Sequence, residues 1–323
     1  MRVLAWLGAC CAALAQAAEP LPALRAEAGP FTVSGVSSGG YMAVQVHVAH
    51  SARVKGVGAL GAGPYYCAQG SFAAAYYNCT TPGAWSPLPS LALLQQAARA
   101  AANSATIDPV AHLAGARVWL FSGRNDRTVH PEVVSALARF YEAFKAQPVL
   151  VADKPAGHGM VTDDAGVTCE RTEAPYLNDC DYDAAGALLA HLLGPLNPRG
   201  AADGRLLAFD QSRFGGASIG MAASAYVYIP RDCEAGGCRV HVAFHGCRQN
   251  AEAVGERFVR QAGYNRWAET NRLLVLYPQT TARWFNPRAC WDWWGYTGPL
   301  YHTQQAPQIR AVLAMVERLS AGK

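Results

Sequence analysis

The chain has 323 residues, of which 51% are hydrophobic and 15% are charged. That much apolar material supports a large buried core, which argues against an extended or disordered protein. The 27 Lys and Arg residues against 23 Asp and Glu give a net charge of +4 without any basic block, so the electrostatic footprint of a nucleic-acid-binding protein is missing. We expect one or two globular domains.

The N-terminal segment has the pattern of a secretory signal peptide. Arg2 precedes an apolar run at residues 3–14 that is too short to span a bilayer, and residues 15–17 form a small-x-small cleavage site. We therefore expect residues 1–17 to be removed and the protein to be secreted, either extracellular or periplasmic. A lipoprotein signal with Cys10 as the lipidated residue is the alternative. No later stretch is long and apolar enough for a transmembrane helix, so no membrane partner is expected.

The alternation of apolar runs with helical patterns predicts the fold class. Strands are predicted at residues 31–36, 54–60, 118–122, 149–152, 225–229, 240–244 and 273–277. Helices are predicted at residues 41–50, 88–102, 131–146, 183–193, 251–271 and 305–319. This pattern is typical of an α/β protein with a mostly parallel central sheet flanked by helices.

The first strand leads into a candidate nucleophile. Residues 35–39 read G-V-S-S-G between the predicted strand and a predicted helix, which is the setting of a sharp turn that exposes Ser37 Oγ. The N-terminal dipole of the following helix favours the negative charge that forms when an acyl carbonyl is attacked. A flexible glycine- and serine-rich loop is the alternative, because short G-x-S-x-G matches also occur by chance.

A serine nucleophile needs a base, and the base needs an orienting carboxylate. Asp126 and His158 follow two successive predicted strands. Loops at the carboxyl ends of parallel strands lie on one side of a sheet, so Ser37, Asp126 and His158 can meet there in the chain order of α/β-hydrolases. Alternatively, Asp126 caps the next helix and His158 is a turn residue. Three further residues are substitute candidates: Asp153, His130 and His112.

The expected positions of the oxyanion donors indicate that both halves of the chain contribute to one sheet. Ser38 N–H would be one donor, and in lipases the other comes from an H-G loop that precedes the serine. Here the H-G element stands at residues 245–246, and only one strand fits before Ser37. Residues 194–200 look like a linker between two domains. We infer instead a circular permutation with its junction near 194–204, and a single catalytic domain over residues 18–323.

The cysteines fit an oxidising compartment. Removal of Cys10 and Cys11 with the signal peptide leaves eight, an even number that predicts four disulfides. Neighbours in sequence would pair as Cys67–Cys79, Cys169–Cys180 and Cys233–Cys238, and Cys247–Cys290 would be the long-range bond, although other connectivities are possible.

A zinc site is the alternative use of part of this set. Cys238, His241, His245 and Cys247 have a spacing that resembles zinc ligands, but the apolar residues between them predict a buried strand. Residues three apart in a strand point to opposite faces and cannot converge on one ion. We expect no metal, and no organic cofactor is implied.

Together these motifs resemble the single-domain, circularly permuted poly(3-hydroxybutyrate) depolymerases of the fungal type, which are α/β-hydrolases. The likeness covers essentially the whole mature chain. It rests on G-V-S-S-G-G at 35–40, F-H-G-C-R-Q at 244–249, C-W-D-W-W-G at 290–295 and the two loops that carry the candidate aspartate and histidine.

The resemblance implies a role for each candidate residue: Ser37 as nucleophile, His158 as base, Asp126 as its orienting partner, and the N–H groups of Ser38 and Cys247 as the oxyanion hole. It also implies that Trp294 or Trp293 contacts the ester chain, and the choice between these two stays open.

The tryptophans suggest how a substrate would be held. Four of the eight lie within residues 284–294. A buried core is one interpretation, but residues 291–294 have no strand or helix period, which favours a loop. A Cys247–Cys290 bond would fix this loop beside the oxyanion strand as an aromatic wall. Such a wall suits an apolar, uncharged acyl chain and offers a charged substrate no partner.

Three functional hypotheses follow. The first is a secreted, monomeric serine esterase that hydrolyses poly(3-hydroxybutyrate) or its oligomers to 3-hydroxybutyrate units through an acyl-serine intermediate. The second is a carbohydrate esterase of the feruloyl or acetylxylan type. The third, of another class, is a non-catalytic polymer-binding protein with a hydrolase fold.

Overall fold

The computed structural model describes residues 19–322. The predicted signal peptide, with Cys10 and Cys11, lies outside these residues. The strands are β1 (Glu19–Pro20), β2 (Phe31–Val36), β3 (Val54–Leu60), β4 (Arg117–Phe121), β5 (Gln147–Val151), β6 (Met160–Thr162), β7 (Val167–Thr168), β8 (Leu177–Asp179), β9 (Arg205–Asp210), β10 (Ser224–Ile229), β11 (Arg239–Phe244) and β12 (Leu273–Tyr277). The helices are α1 (Ser38–Ala49), α2 (Leu91–Asn103), α3 (Pro131–Glu142), α4 (Ala184–Leu193), α5 (Ala251–Val254), α6 (Arg257–Gln261), α7 (Tyr264–Thr270) and α8 (Pro307–Ser320).

Nine strands form one sheet in the order β1-β9-β10-β12-β11-β2-β3-β4-β5. From β12 to β5 the neighbours are parallel, whereas β10 is antiparallel to both β9 and β12. Strand β2 lies near the middle, with β11 on one side and β3 on the other. Both halves of the chain therefore contribute strands to the sheet that carries the serine turn.

Two layers of helices cover the sheet, and the side chains on both faces of its central strands are buried. In β12, for example, Leu274 and Leu276 pack in one hydrophobic cluster, and Val275 and Tyr277 pack in the other. The first cluster also contains buried residues of α1, α2, α3 and α8, and the second contains those of α4, α6 and α7. The alternation of faces along a strand thus yields a three-layer α/β architecture, as predicted.

The seven predicted strands are present, each within two residues of its predicted ends. The predicted helix at 251–271 is wrong, since this segment forms α5, α6 and α7. Gly255 (φ 64°) and Gly263 (φ 92°) separate the three helices, and a left-handed backbone cannot continue an α-helix. Strand β9, the two-residue edge strand β1 beside it and the small sheet β6-β8-β7 were not predicted.

Within residues 19–322, four disulfides join the expected partners: Cys67–Cys79, Cys169–Cys180, Cys233–Cys238 and Cys247–Cys290. Cys238 and Cys247, two of the supposed zinc ligands, are thus oxidised in separate bonds. The part of the chain that the structure describes contains no group of three side chains arranged to hold a metal ion. None of its helices is long and apolar enough to cross a bilayer.

Candidate active site

The turn between β2 and α1 holds Ser37 in a strained conformation, with φ 57° and ψ −126°, which non-glycine residues rarely adopt. Its N–H donates to the Leu60 carbonyl of β3 at 2.8 Å. The flanking glycines allow the backbones to approach: a Cβ on Gly35 would overlap the Gly39 carbonyl, and a Cβ on Gly39 would overlap the Phe244 carbonyl of β11. The motif is therefore a tight turn wedged between strands, not a flexible loop.

Asp126 and His158 form a buried pair. His158 Nδ1 lies 2.7 Å from Asp126 Oδ2, and Asp126 Oδ1 accepts the N–H groups of Thr128 and Val129 at 2.8 Å each. Burial by itself would raise the pKa of the Asp126 carboxyl, but His158 and the two N–H groups lower it below its ordinary value on balance. A carboxylate can only accept, so in the neutral form of the imidazole Nδ1 carries the proton and Nε2 has a free lone pair.

His158 Nε2 is the open end of this pair. It is buried and has no hydrogen-bond partner within residues 19–322. His158 and Ser37 line the same cleft. An imidazole whose Nδ1 is fixed by a carboxylate, and whose Nε2 is free, is able to accept a proton from a hydroxyl group.

The alternative roles of these residues do not match their positions. Asp126 is not the cap of α3, because His130 occupies the N-cap position. Among the substitute candidates, the side chain of Asp153 is 72% exposed and lies 3.3 Å from Lys154 Nζ, and His112 is exposed on the surface.

The loop of His158 is held by the small sheet, which the sequence did not predict. His158 N–H donates to Thr172 Oγ1 at 2.8 Å, and Gly157 N–H donates to the Cys169 carbonyl at 2.8 Å. Cys169 is bonded to Cys180 directly after β8. This disulfide and the strands β6–β8 thus fix the backbone on which the imidazole stands.

The H-G turn at the end of β11 lies beside the serine turn. Thr280 N–H donates to Nε2 of the buried His245 at 3.2 Å, so the Nδ1 proton of His245 donates to the Gly246 carbonyl at 2.6 Å. Burial lowers the pKa of His245 to about 4, partly offset by the Gly246 bond, so this histidine is neutral at pH 7. Within the described residues, the N–H groups of Ser38 and Cys247 donate no hydrogen bond, which leaves two donors free for an oxyanion.

The tryptophan segment follows the Cys247–Cys290 bond as a loop, as predicted. Trp291 is completely buried against Phe244. Trp293 stacks on Tyr41 with ring centroids 4.0 Å apart and meets Trp294 edge to face. Both Trp293 and Trp294 line the cleft, so the geometry does not separate the two candidates.

Sequence reasoning missed Asp292, which organises this loop. Its buried carboxylate accepts five hydrogen bonds: on Oδ1 from the N–H groups of Trp294, Gly295 and Tyr296, and on Oδ2 from the N–H and hydroxyl of Thr297. Aspartate side chains often accept hydrogen bonds from the backbone N–H groups that follow them in a turn, so the sequence D-W-W-G-Y-T could have indicated this role. Two buried glutamines also hold the Asp292 backbone, Gln45 from α1 and Gln308 from α8.

The cleft has a volume of about 610 Å³. Aromatic side chains form much of its wall, including Phe72 and Tyr76 beside the two tryptophans. The expectation that a charged substrate would find no partner is wrong, because three arginines also line the cleft: Arg127, Arg248 and Arg288.

Comparison with known proteins gives close relatives. The chain is 45% identical over 315 residues to a poly(3-hydroxybutyrate) depolymerase of Delftia acidovorans. This match covers 95% of the present chain but only 63% of the length of the Delftia enzyme. It is 36% identical to a polyhydroxybutyrate depolymerase of Talaromyces funiculosus, covering 99% of this chain and 97% of that one. No protein-family model matches the chain.

Two solved structures share the fold. The crystal structure of PHB depolymerase from Penicillium funiculosum superposes with a TM-score of 0.84 at 31% identity, covering 93% of this chain and 98% of that one. A serine-to-alanine variant of a PHB depolymerase, in complex with an R3HB trimer, superposes with a TM-score of 0.83 at 31% identity. With near-complete coverage of the Talaromyces relative, the chain belongs to the poly(3-hydroxybutyrate) depolymerase family.

Proposed function

We propose that the protein is a secreted serine esterase that hydrolyses poly(3-hydroxybutyrate) or its oligomers, with residues 18–323 as one catalytic domain. The observation that carries the proposal is the buried His158–Asp126 pair, whose free Nε2 belongs to the cleft that Ser37 lines. Its relatives are named for this activity, and one neighbouring structure holds an R3HB trimer.

Each step of the reaction has a group in the cleft. His158 Nε2 takes the proton of Ser37 while Oγ bonds to the ester carbonyl carbon, and the N–H groups of Ser38 and Cys247 stabilise the resulting oxyanion. The protonated His158 then gives its proton to the leaving alkoxide of the next hydroxyacyl unit, which leaves an acyl-Ser37. His158 then takes a proton from water as its oxygen bonds to the acyl carbon, and returns that proton to Ser37 Oγ as the acyl–Ser37 bond breaks, which releases the acid and free Ser37.

Asp126 and the aromatic wall assist these steps. The Asp126 carboxylate keeps the Nδ1 proton of His158 in place and stabilises the imidazolium that forms transiently. Trp293 or Trp294 contacts the apolar acyl chain, for which the aromatic wall is suited. The exposed rings of Phe72 and Trp284, 62% and 91% accessible, extend this apolar surface outward toward a water-insoluble polyester.

The test compares the wild-type protein with Ser37→Ala on a poly(3-hydroxybutyrate) film, on the methyl ester of the hydroxybutyrate trimer and on methyl ferulate. We expect the wild type to cleave the polyester substrates in preference to the ferulate, and Ser37→Ala to lose turnover by at least about 10⁴-fold. Ser104→Ala, at an exposed serine outside the cleft, is the matched control.

Three results would contradict the proposal. Substantial hydrolysis by Ser37→Ala would remove Ser37 as nucleophile. A preference for methyl ferulate would support the carbohydrate esterase hypothesis instead. Binding of the trimer without hydrolysis, together with no labelling of Ser37 by an organophosphate, would indicate the non-catalytic polymer-binding protein.

The four disulfides support secretion, because such bonds persist in oxidising compartments. We propose that residues 1–17 direct this export and are then removed. Mass spectrometry of the protein recovered from culture medium and from periplasm tests both points: a mature N-terminus at residue 18 is expected, and an intact N-terminus inside the cell would contradict the proposal.

A further inference from the structure

The charged residues that line the cleft have only one sign. Arg127, Arg248 and Arg288 line it, whereas no aspartate, glutamate or lysine of the described residues does. All three arginines are exposed. None forms an ion pair within residues 19–322. The positive charge of the cleft is therefore not neutralised by contacts in this chain.

The backbone keeps two of these arginines together beside the oxyanion turn. Arg248 directly follows Cys247 and has a left-handed conformation, φ 57°. Its N–H donates to the Arg288 carbonyl at 2.7 Å, and the Cys247–Cys290 bond closes the same small unit. Arg248 and Arg288 therefore line the cleft from two segments that are hydrogen-bonded to each other, next to Cys247.

The ester interior of a polyhydroxyalkanoate gives a guanidinium little to bind, since it is uncharged. Its chain end is different, because a free hydroxyacid terminus carries a carboxylate, and each ester hydrolysis creates another one. Arginine pairs with carboxylates through two parallel hydrogen bonds. A positively charged cleft also attracts an anionic ligand before contact.

We propose that Arg248 and Arg288, with Arg127, form a subsite for the carboxylate of a 3-hydroxyacid unit, at the end of a bound oligoester or on a released product. This inference rests on the proposed function. The aromatic wall then holds the apolar part of the chain, while the arginines recognise its charged end and favour short free-acid oligomers over internal segments of a long chain.

The experiment compares the hydroxybutyrate trimer as free acid with the same trimer as methyl ester. We expect the wild type to have a kcat/KM at least about fivefold higher for the acid, and R248Q/R288Q to lower this ratio of acid to ester to about one. Raising the salt from roughly 20 to 500 mM should also reduce the wild-type ratio, because exposed charges are screened.

Two variants separate a local effect from a general one. Arg283→Gln removes an exposed arginine from the same segment outside the cleft lining, and we expect it to keep the wild-type ratio. R288Q alone should give an intermediate ratio, with a thermal midpoint equal to that of the wild type because the side chain is exposed.

The second arm distinguishes the source of the carboxylate. Inhibition by free 3-hydroxybutyrate that R248Q/R288Q weakens, without any acid preference among trimers, would assign the subsite to the released product. Equal kcat/KM for acid and ester together with no such inhibition would overturn this inference alone, as would an equal effect of Arg283→Gln. Failure of the wild type to cleave either trimer would overturn the proposed function as well.

Discussion

The N–H of Trp291 donates a hydrogen bond of 3.2 Å to the side-chain hydroxyl of Ser38. Ser38 is the residue after the proposed nucleophile, so the tryptophan segment is attached directly to the serine turn. The Cys247–Cys290 bond attaches the same segment to the H-G turn. The position of the aromatic wall and the positions of the two proposed oxyanion donors are therefore coupled, and changes in one are expected to affect the other.

Replacing Asp126 by Asn should reduce kcat on the trimer by about 10⁴-fold while the fold remains intact. The amide can donate to Nδ1, which would place the His158 proton on Nε2, where the lone pair is needed. Steady-state kinetics and circular dichroism check the two parts. Asp153→Asn, an exposed aspartate on the neighbouring loop, should retain full activity, and an equal loss in both variants would contradict the role of Asp126.

The same carboxylate makes stability depend on pH. The pKa of Asp126 is lower in the folded protein than its unfolded value of 3.8, so its contribution is fully present above pH 3.8 and is lost as the pH falls through the lower folded value. Asp126→Asn lacks this contribution. Urea unfolding of both proteins should show a stability difference that is constant above about pH 5 and shrinks below pH 4. If the difference in unfolding free energy between the two proteins grew as the pH fell, the predicted direction of the Asp126 pKa shift would be contradicted.

Replacing Asp292 by Asn should loosen the tryptophan loop, because the amide nitrogen cannot accept the bonds from Thr297. We expect KM for the trimer to rise about tenfold, roughly 1.4 kcal/mol, while kcat for the small substrate p-nitrophenyl acetate changes little. Thr297→Val removes one of the five donors and should have a smaller effect in the same direction. Equal losses of kcat on both substrates would indicate a general folding defect instead.

Two disulfides at opposite ends of β11 allow a matched comparison. Cys247–Cys290 closes a loop with a sequence separation of 43, and Cys233–Cys238 closes one of 5. Replacing both cysteines of a pair by Ala should cost about 4 kcal/mol and about 2 kcal/mol of unfolding free energy, respectively. Only the first change should also lower kcat/KM, because only that bond joins the oxyanion turn to the aromatic loop. Similar losses of activity in the two double variants would show that catalysis does not depend specifically on the Cys247–Cys290 bond.

The parts of the fold that follow from local pattern were predicted well. Strand β2 has its predicted bounds because its apolar residues Phe31, Val33 and Val36 are all buried in the sheet. Strand β9 was missed because its sequence, R-L-L-A-F-D, is only partly buried and lacks a clear strand pattern; its partners β10 and β1 come from other parts of the chain. Helix periodicity could not show where α5, α6 and α7 separate, since the two glycines that end α5 and precede α7 matter through their backbone angles.

The residues of the candidate site also differ in whether the local sequence pattern could predict them. Ser37, Asp126 and His158 were predicted to meet because each follows a predicted parallel strand, and such ends share one edge of the sheet. The role of Asp292 depends on Gln45 and Gln308, which come from helices at opposite ends of the chain. The sequence could not predict that the three arginines line the cleft, because only the folded chain shows which residues surround them and that no acidic residue pairs with them.

The strand order also determines when the serine turn can be completed. Strand β2 is among the first parts of the chain to be synthesised, but its neighbour β11 is made about two hundred residues later. Until then Gly39 has no carbonyl from β11 to pack against, and Ser38 has no tryptophan segment to bond. Contacts over such separations form slowly. The nascent enzyme therefore remains without a finished catalytic turn until nearly the whole chain has been made, so hydrolysis by a partly synthesised chain is not expected.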